Sequence, residues 1–172
     1  MPISMSQASA PRFAQMLKNL SAILAKAQAH CEAKKIDPLA LTSARLYPDM
    51  FPLSRQVQIA CDSAKGAVAR LAGVEIPKHE DTEKTFEELQ TRIAKTLDFI
   101  GGVKPAQIDG SEEREIVLPA RNREPRRFKG EYYLKHWALP NFFFHITTAY
   151  MILRHNGVEL GKADYLAGGN AA

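Results

Sequence analysis

Residues 140–157 read PNFFFHITTAYMILRHNG and decide the fold of this chain. Wound as a helix, the stretch carries apolar side chains around nearly its whole circumference, and only Thr147 and Arg154 form a polar strip. Pro140 suits the first turn of such a helix, and Gly157 suits its exit. A helix this apolar must be buried on most sides, so the stretch predicts the central helix of a helical domain.

His145 is the one histidine inside this apolar surface, and it lies nearly opposite the polar strip. A histidine that points into a bundle can ligate a metal, transfer a proton or simply hydrogen-bond. Asn141 and Thr148 flank it about one turn away on either side and can supply hydrogen-bond partners. Because unpaired buried polar groups are costly, a hydrogen-bonded core histidine is the simplest interpretation.

Three further amphipathic helices precede this stretch, each with apolar residues at spacings of three and four. Pro38 and Gly73 mark the ends of the first two. Thr85 and Glu88 have the spacing of a capping box, which predicts where the third helix begins. The predicted helices cover about residues 11–36, 52–71 and 85–102.

The periodicity changes over residues 113–130, where two short alternating segments flank charged turn residues. This pattern predicts a small β-hairpin inserted before the last helix. Pro119 and Pro125 favour edge-like strands, since proline cannot donate to a sheet ladder. We expect a break at Pro140 that separates His136 from the last helix.

Length and composition indicate one globular domain over residues 1–172, with 45% hydrophobic and 24% charged residues. No apolar run approaches the roughly 20 residues that span a bilayer, and the first residues lack the build of a secretory signal. Cys31 and Cys61 are the only cysteines, too few for a disulfide framework or a cysteine-rich zinc site. We therefore expect a cytoplasmic protein without membrane attachment.

The net charge of +4 comes largely from one basic cluster near the predicted hairpin. Only Phe128 supplies an aromatic side chain there, and acidic residues lie on both sides. A solvated hairpin is therefore favoured over a phosphate-binding surface, and we expect no nucleic-acid partner. The cluster comprises Arg121, Arg123, Arg126, Arg127 and Lys129.

Common catalytic motifs are absent from the sequence: it contains no dinucleotide fingerprint, P-loop or nucleophile elbow. The second helix offers Gln56, Gln58 and Asp62, of which Gln58 and Asp62 share a face at a spacing of four. A metal in a bundle needs about three donors from facing helices, so His145, Asp62 and Asn141 are the candidate metal ligands. Such a site is rich in oxygen and weak for transition metals. The candidate pocket comprises His145, Asn141, Gln58, Asp62 and Thr148.

Two segments carry a resemblance to a known family. Residues 139–166, LPNFFFHITTAYMILRHNGVELGKADYL, resemble the C-terminal segment of a bacterial family of unknown function in the DinB-like superfamily. Residues 51–65, FPLSRQVQIACDSAK, resemble the second helix of the same family. The resemblance implies an all-α, up-down-down-up four-helix bundle, in which the predicted hairpin is an insertion before the last helix, and it implies a homodimer.

Many members of that superfamily hold a divalent metal, such as zinc or nickel, through three histidines. One histidine comes from the second helix and two, four residues apart, come from the last. Some members are metal-dependent thiol transferases or isomerases. Counted back from Gly157, His145 matches the second of the paired histidines, whereas the first position is Asn141. The second-helix position falls near Gln58 or Asp62, so the chain departs from the triad twice.

Three interpretations remain open on the sequence alone, and they leave undecided whether the protein is an enzyme. The chain is a DinB-like bundle without the usual metal that binds a small ligand near His145. Alternatively, it is a metal-dependent transferase-like enzyme with an atypical site. Alternatively, it is a dimeric structural or interaction module without chemistry of its own.

Overall fold

The computed structural model describes residues 3–120, 122 and 124–168. Four long helices form a bundle, and one two-stranded antiparallel hairpin precedes the last of them. The elements in chain order are α1 (Met5–Ala8), α2 (Ala10–Lys34), α3 (Pro38–Thr42), α4 (Leu53–Ala72), α5 (Phe86–Gly102), α6 (Pro105–Ile108), β1 (Glu115–Leu118), β2 (Arg126–Lys129), α7 (Gly130–Tyr133), a π-helical turn (Leu134–Ala138), α8 (Leu139–His155) and α9 (Lys162–Ala167).

The helix ends follow local sequence signals. The predicted capping box is confirmed: Thr85 Oγ1 accepts from the Glu88 amide at 3.2 Å, and the Glu88 carboxylate accepts from the Thr85 amide at 3.0 Å. Gly73 ends α4 in the left-handed region at φ 70°, where a glycine avoids the steric cost of a Cβ. Pro11 lies in the first turn of α2, where its missing N–H costs nothing.

Contacts along neighbouring helices give their relative directions. Gln56 and Ser63 of α4 bond to His145 and Asn141 of α8, in reversed order, so these two helices are antiparallel. Phe13, near the start of α2, packs on Phe142 near the start of α8, whereas residues late in α2 lie beside residues 157–159. The first and last long helices therefore run in the same direction.

The long connection over residues 73–85 returns along the bundle before α5 begins. Glu83, just before α5, accepts a hydrogen bond from Gln58 near the start of α4, so α4 and α5 are parallel. Gln28, late in α2, lies beside Phe86 at the start of α5, so α2 and α5 are antiparallel. The order is up, down, down, up, and the predicted all-α bundle is confirmed.

The core runs between the four long helices. The rings of Phe13 and Phe142 meet edge to face with centroids 4.9 Å apart, and both side chains are completely buried. Other fully buried aliphatic side chains come from each of the three predicted stripes. They include Leu17, Leu20, Leu24, Leu53, Leu71, Leu89 and Ile93.

The predicted break at Pro140 is wrong, because the backbone is helical without interruption over residues 130–155. We call this stretch the long helix. Its π turn widens the backbone just before Pro140, and Leu139 donates its amide to the carbonyl of Leu134, five residues back. The extra residue accommodates a proline that has no N–H and whose ring crowds the preceding turn. His136 therefore belongs to the same helix as His145, and its ring lies against that of Tyr132 with centroids 4.4 Å apart.

The predicted hairpin is confirmed, with Ile116 of β1 opposite Phe128 of β2. Arg126 lies over the ring of Trp137 at 4.4 Å, and the other described cations of the basic cluster pair with Glu113 and Glu115. Arg121 and Arg123 of that cluster lie outside the described residues. Among the described residues, no helix combines the length and apolar character that a membrane crossing requires.

Candidate functional site

His145 forms a closed pair with a glutamine of α4. Its Nδ1 lies 2.7 Å from Oε1 of Gln56, and both side chains are buried. Because Gln56 donates from Nε2 to the carbonyl of Phe51, its Oε1 faces the histidine and accepts the bond. The proton of a neutral His145 therefore lies on Nδ1.

We expect His145 to titrate below its ordinary pKa of 6.5, because burial disfavours the imidazolium and the Arg55 cation adds to that effect. The unfolded chain takes up this proton near pH 6.5 whereas the folded chain does not, so stability falls as the pH drops below 6.5. An NMR pH titration of the His145 imidazole measures its pKa. Replacement R55Q should raise the pKa of His145 while leaving it below 6.5. A wild-type pKa at or above 6.5 contradicts the buried geometry.

Gln58 and Asp62 belong to a different cluster, which faces α5. Gln58 donates from Nε2 to Glu83 Oε2 at 3.0 Å. The Oδ1 atom of Asp62 accepts from Arg92 Nη2 and from Lys65 Nζ, each at 2.8 Å. Gln58 Nε2 and Asp62 Oδ1 thus bond partners of this cluster, whereas Asp62 Oδ2 bonds none of the described residues.

Arg92 is the centre of this charged cluster and is only 1% exposed. Beyond Asp62, its guanidinium bonds Asp81 Oδ1 and Glu83 Oε1, each at 3.0 Å, and the carbonyl of Glu80 at 2.9 Å. These partners lie on the connection over residues 73–85. One buried cation therefore fastens the connection to the bundle.

Asn141 and Thr148 complete the set of predicted site residues. Asn141 donates from Nδ2 to Ser63 Oγ of α4 at 2.8 Å. Thr148 donates to the carbonyl of Phe144 on its own helix at 2.7 Å. Of the five predicted pocket residues, only Asp62 and Asn141 line one common cavity, whereas His145, Gln58 and Thr148 each lie elsewhere.

The side chains around His145 do not fit the three-histidine metal site that the resemblance implies. The residue of α4 that meets His145 is Gln56, although the resemblance placed the second-helix position near Gln58 or Asp62. Across residues 3–120, 122 and 124–168, no three His, Cys, Asp or Glu side chains converge closely enough to hold a metal ion. The candidate ligands His145, Asp62 and Asn141 each bond a different partner, so they do not form a donor set.

A cavity of about 300 Å³ opens between α4, β1 and the long helix. One wall is aromatic and apolar, and the other carries polar and charged side chains. Its volume is at the lower end of the range for small-molecule sites. The lining residues are Asp62, Ser63, Arg70, Leu118, Pro119, Tyr133, Trp137, Ala138 and Asn141.

The π turn places two of these lining residues, Trp137 and Ala138. Tyr133, just before the turn, is buried, and burial raises the pKa of its phenol. Single π turns within α-helices occur frequently at functional sites. The sequence could have drawn attention to Trp137, since it is the only tryptophan, but nothing in its local pattern indicated the π turn.

Comparisons with known proteins agree with the bundle. The family model described as "Domain of unknown function (DUF1993)" matches residues 5–166. The crystal structure of a DinB family member protein from Shewanella denitrificans superposes with a TM-score of 0.86 at 46% identity. The superposition covers 94% of this chain and 90% of that chain. No curated protein matches the chain. The family match includes all four long helices.

Proposed function

The chain belongs to the DUF1993 family of DinB-like proteins, and we propose that it binds a small organic ligand in the cavity beside Asn141 and Trp137. On this proposal His145 is a structural residue, hydrogen-bonded to Gln56, and the site needs no metal. The ligand site lies about one helical turn from His145, toward the start of α8.

The observation that carries the proposal is that polar atoms with spare bonding capacity meet an aromatic wall in one cavity. Asn141 uses its Nδ2 for Ser63, and its Oδ1 accepts from none of the described residues. Asp62 bonds its neighbours through Oδ1, which leaves Oδ2 available. Ligand sites typically combine an apolar lining with a few such convergent polar groups.

A screen of small organic fragments by ligand-observed NMR tests the proposal. Replacement S63L fills the cavity and removes the bond to Asn141, so we expect the fragments that bind the wild type to bind this variant at least tenfold more weakly. The matched control is S54L, the same change on α4 at a residue that does not line the cavity. Equal binding by wild type and S63L, or no binding fragment in the screen, would count against the proposal.

An exposed apolar surface favours a second candidate function, that of a homodimeric structural or interaction module. Phe144 and Met151 lie on α8 and are 57% and 49% exposed, and Phe51 and Tyr47 of the segment before α4 are 54% and 66% exposed. The segment lies beside α8, since Gln56 bonds both the Phe51 carbonyl and His145. Large exposed apolar surfaces of this kind are typical of interfaces between protein chains.

We therefore expect a dimer in solution, in which this surface packs on its copy about a twofold axis. Replacement F144E puts a charge at the middle of the surface and should shift the protein to the monomer, measured by light scattering after gel filtration. Replacement L166E is the control, because Leu166 is 60% exposed on α9 outside this surface. A monomeric wild type, or an F144E variant that remains dimeric, rules this interface out.

A further inference from the structure

Arg70 lies in the wall of the cavity and has no carboxylate partner among the described residues. Its only hydrogen bond to a described residue runs from Nη1 to the hydroxyl of Tyr133 at 3.4 Å, which is long. Arg70 as a residue is partly buried. A cation in this position retains donors for an acceptor that enters the cavity.

Gly66, one turn earlier on α4, has no side chain and therefore leaves room for the Arg70 guanidinium. A Cβ at Gly66 would lie 2.6 Å from Arg70 Nη1, so any side chain there displaces the guanidinium. Gly66 is buried in the interior of a helix, where glycine is less favourable than alanine. The helix thus contains a destabilising residue at the one point where it lets Arg70 lie flat against it.

We propose that Arg70 binds the carboxylate of a small organic acid, an inference that rests on the proposed ligand site. A guanidinium matches a carboxylate with two parallel hydrogen bonds. Among the described residues that line the cavity, Arg70 is the single cation, which matches the one charge of a carboxylate better than the double charge of a phosphate. Leu118 and Trp137 suit an apolar body, and 300 Å³ accommodates about one ring.

The direct test compares cyclohexanecarboxylate with its neutral analogue, cyclohexanecarboxamide. Trp137 is the only tryptophan of the chain and lines the cavity, so its fluorescence reports binding of either compound. We expect the carboxylate to bind the wild type at least tenfold more tightly than the carboxamide. Replacement R70Q should remove that preference and leave the carboxamide affinity unchanged. The control R12Q, at an exposed arginine of α2, should retain the preference.

Replacement G66A separates positioning from folding. Alanine favours the helix, so the thermal midpoint should stay level or rise by about 2–4 °C. The new methyl group displaces the Arg70 guanidinium, so the carboxylate should bind at least fivefold more weakly. A variant that is as stable as the wild type yet binds less tightly supports Arg70 as the anion-binding residue.

The outcomes distinguish this inference from the proposed function. If the wild type binds the carboxylate more tightly than the carboxamide, and both R70Q and G66A weaken carboxylate binding, the assignment of Arg70 as the anion-binding residue is supported. If both compounds bind equally, or if R70Q leaves the preference intact, Arg70 is not the anchor but the cavity remains a ligand site. If neither compound changes the Trp137 fluorescence, the carboxylate inference is overturned, and the fragment screen decides the proposed function by itself.

Discussion

Replacing Arg92 with methionine should lower the free energy of unfolding by about 3 kcal/mol, as expected when one member of a buried ionic cluster is removed. Arg92 is 1% exposed, and it bonds Asp62, Asp81 and Glu83. Without the cation these carboxylates crowd together with no shared partner. The connection over residues 73–85 also loses its attachment to α5. Thermal and urea unfolding measure the change.

The matched control is K95Q on the same helix, where the lysine is exposed and a change of less than about 0.5 kcal/mol is expected.

The loss of stability in acid gives a second test of the role of Arg92. Burial alone would raise the pKa of Asp81, but its bonds to Arg55 and Arg92 outweigh burial and lower that pKa below 3.8. Stability from Asp81 is present above pH 3.8 and is lost as the pH falls through the lowered pKa, so R92M should show a smaller acid loss. An R92M variant as stable as K95Q contradicts the role of Arg92.

Replacing Gly130 with alanine should cost about 3 kcal/mol, the upper end of the range for overpacking. A Cβ at Gly130 would lie 2.0 Å from the backbone carbonyl oxygen of Ser111, an atom that cannot turn away as a side chain can. The neighbouring amide of Glu131 donates to the carbonyl of Glu112 at 2.9 Å, so the backbone at residues 111 and 112 is bonded to the start of the long helix. Urea unfolding measures the loss.

Gly102 provides the contrast, because a Cβ there meets no atom within 4 Å. Replacement G102A should therefore leave the free energy of unfolding unchanged or raise it slightly. Equal stability of G130A and G102A would show that the backbone near Ser111 can shift at little cost. It would contradict the close packing of Gly130 against the Ser111 carbonyl.

The helices of this chain could be predicted from sequence because their signals are local. The apolar stripe of α2, the capping box at Thr85 and the glycine exit at Gly73 each lie within a few residues of the end that they define. The alternating arms of the hairpin are local in the same way. The DinB-like resemblance then supplied the order of the helices, which periodicity alone does not determine.

The site could be predicted only in part, because it depends on how separate helices meet. The resemblance placed the α4 partner of His145 near Gln58 or Asp62. A shift of one or two positions along α4 turns a side chain toward another helix, and Gln56 is the residue that faces His145. Nothing in the sequence singled out Arg92, and only the folded connection shows it buried. The π turn was also missed, because a proline at position 140 is compatible with either a helix break or a widened turn, and only the folded backbone shows the widened turn.

The central claim is that the ligand site lies at the cavity beside Trp137 and not at His145. A titration of ¹⁵N-labelled protein with the tightest-binding fragment tests it most directly, since Trp137, Asn141 and Gln56 all carry side-chain N–H signals. We predict shifts of the Trp137 indole and the Asn141 amide, with the Gln56 amide unmoved. Fragment-induced shifts confined to the Gln56 amide would contradict the account. Shifts of the Gln56 and His145 signals on addition of zinc would contradict it as well.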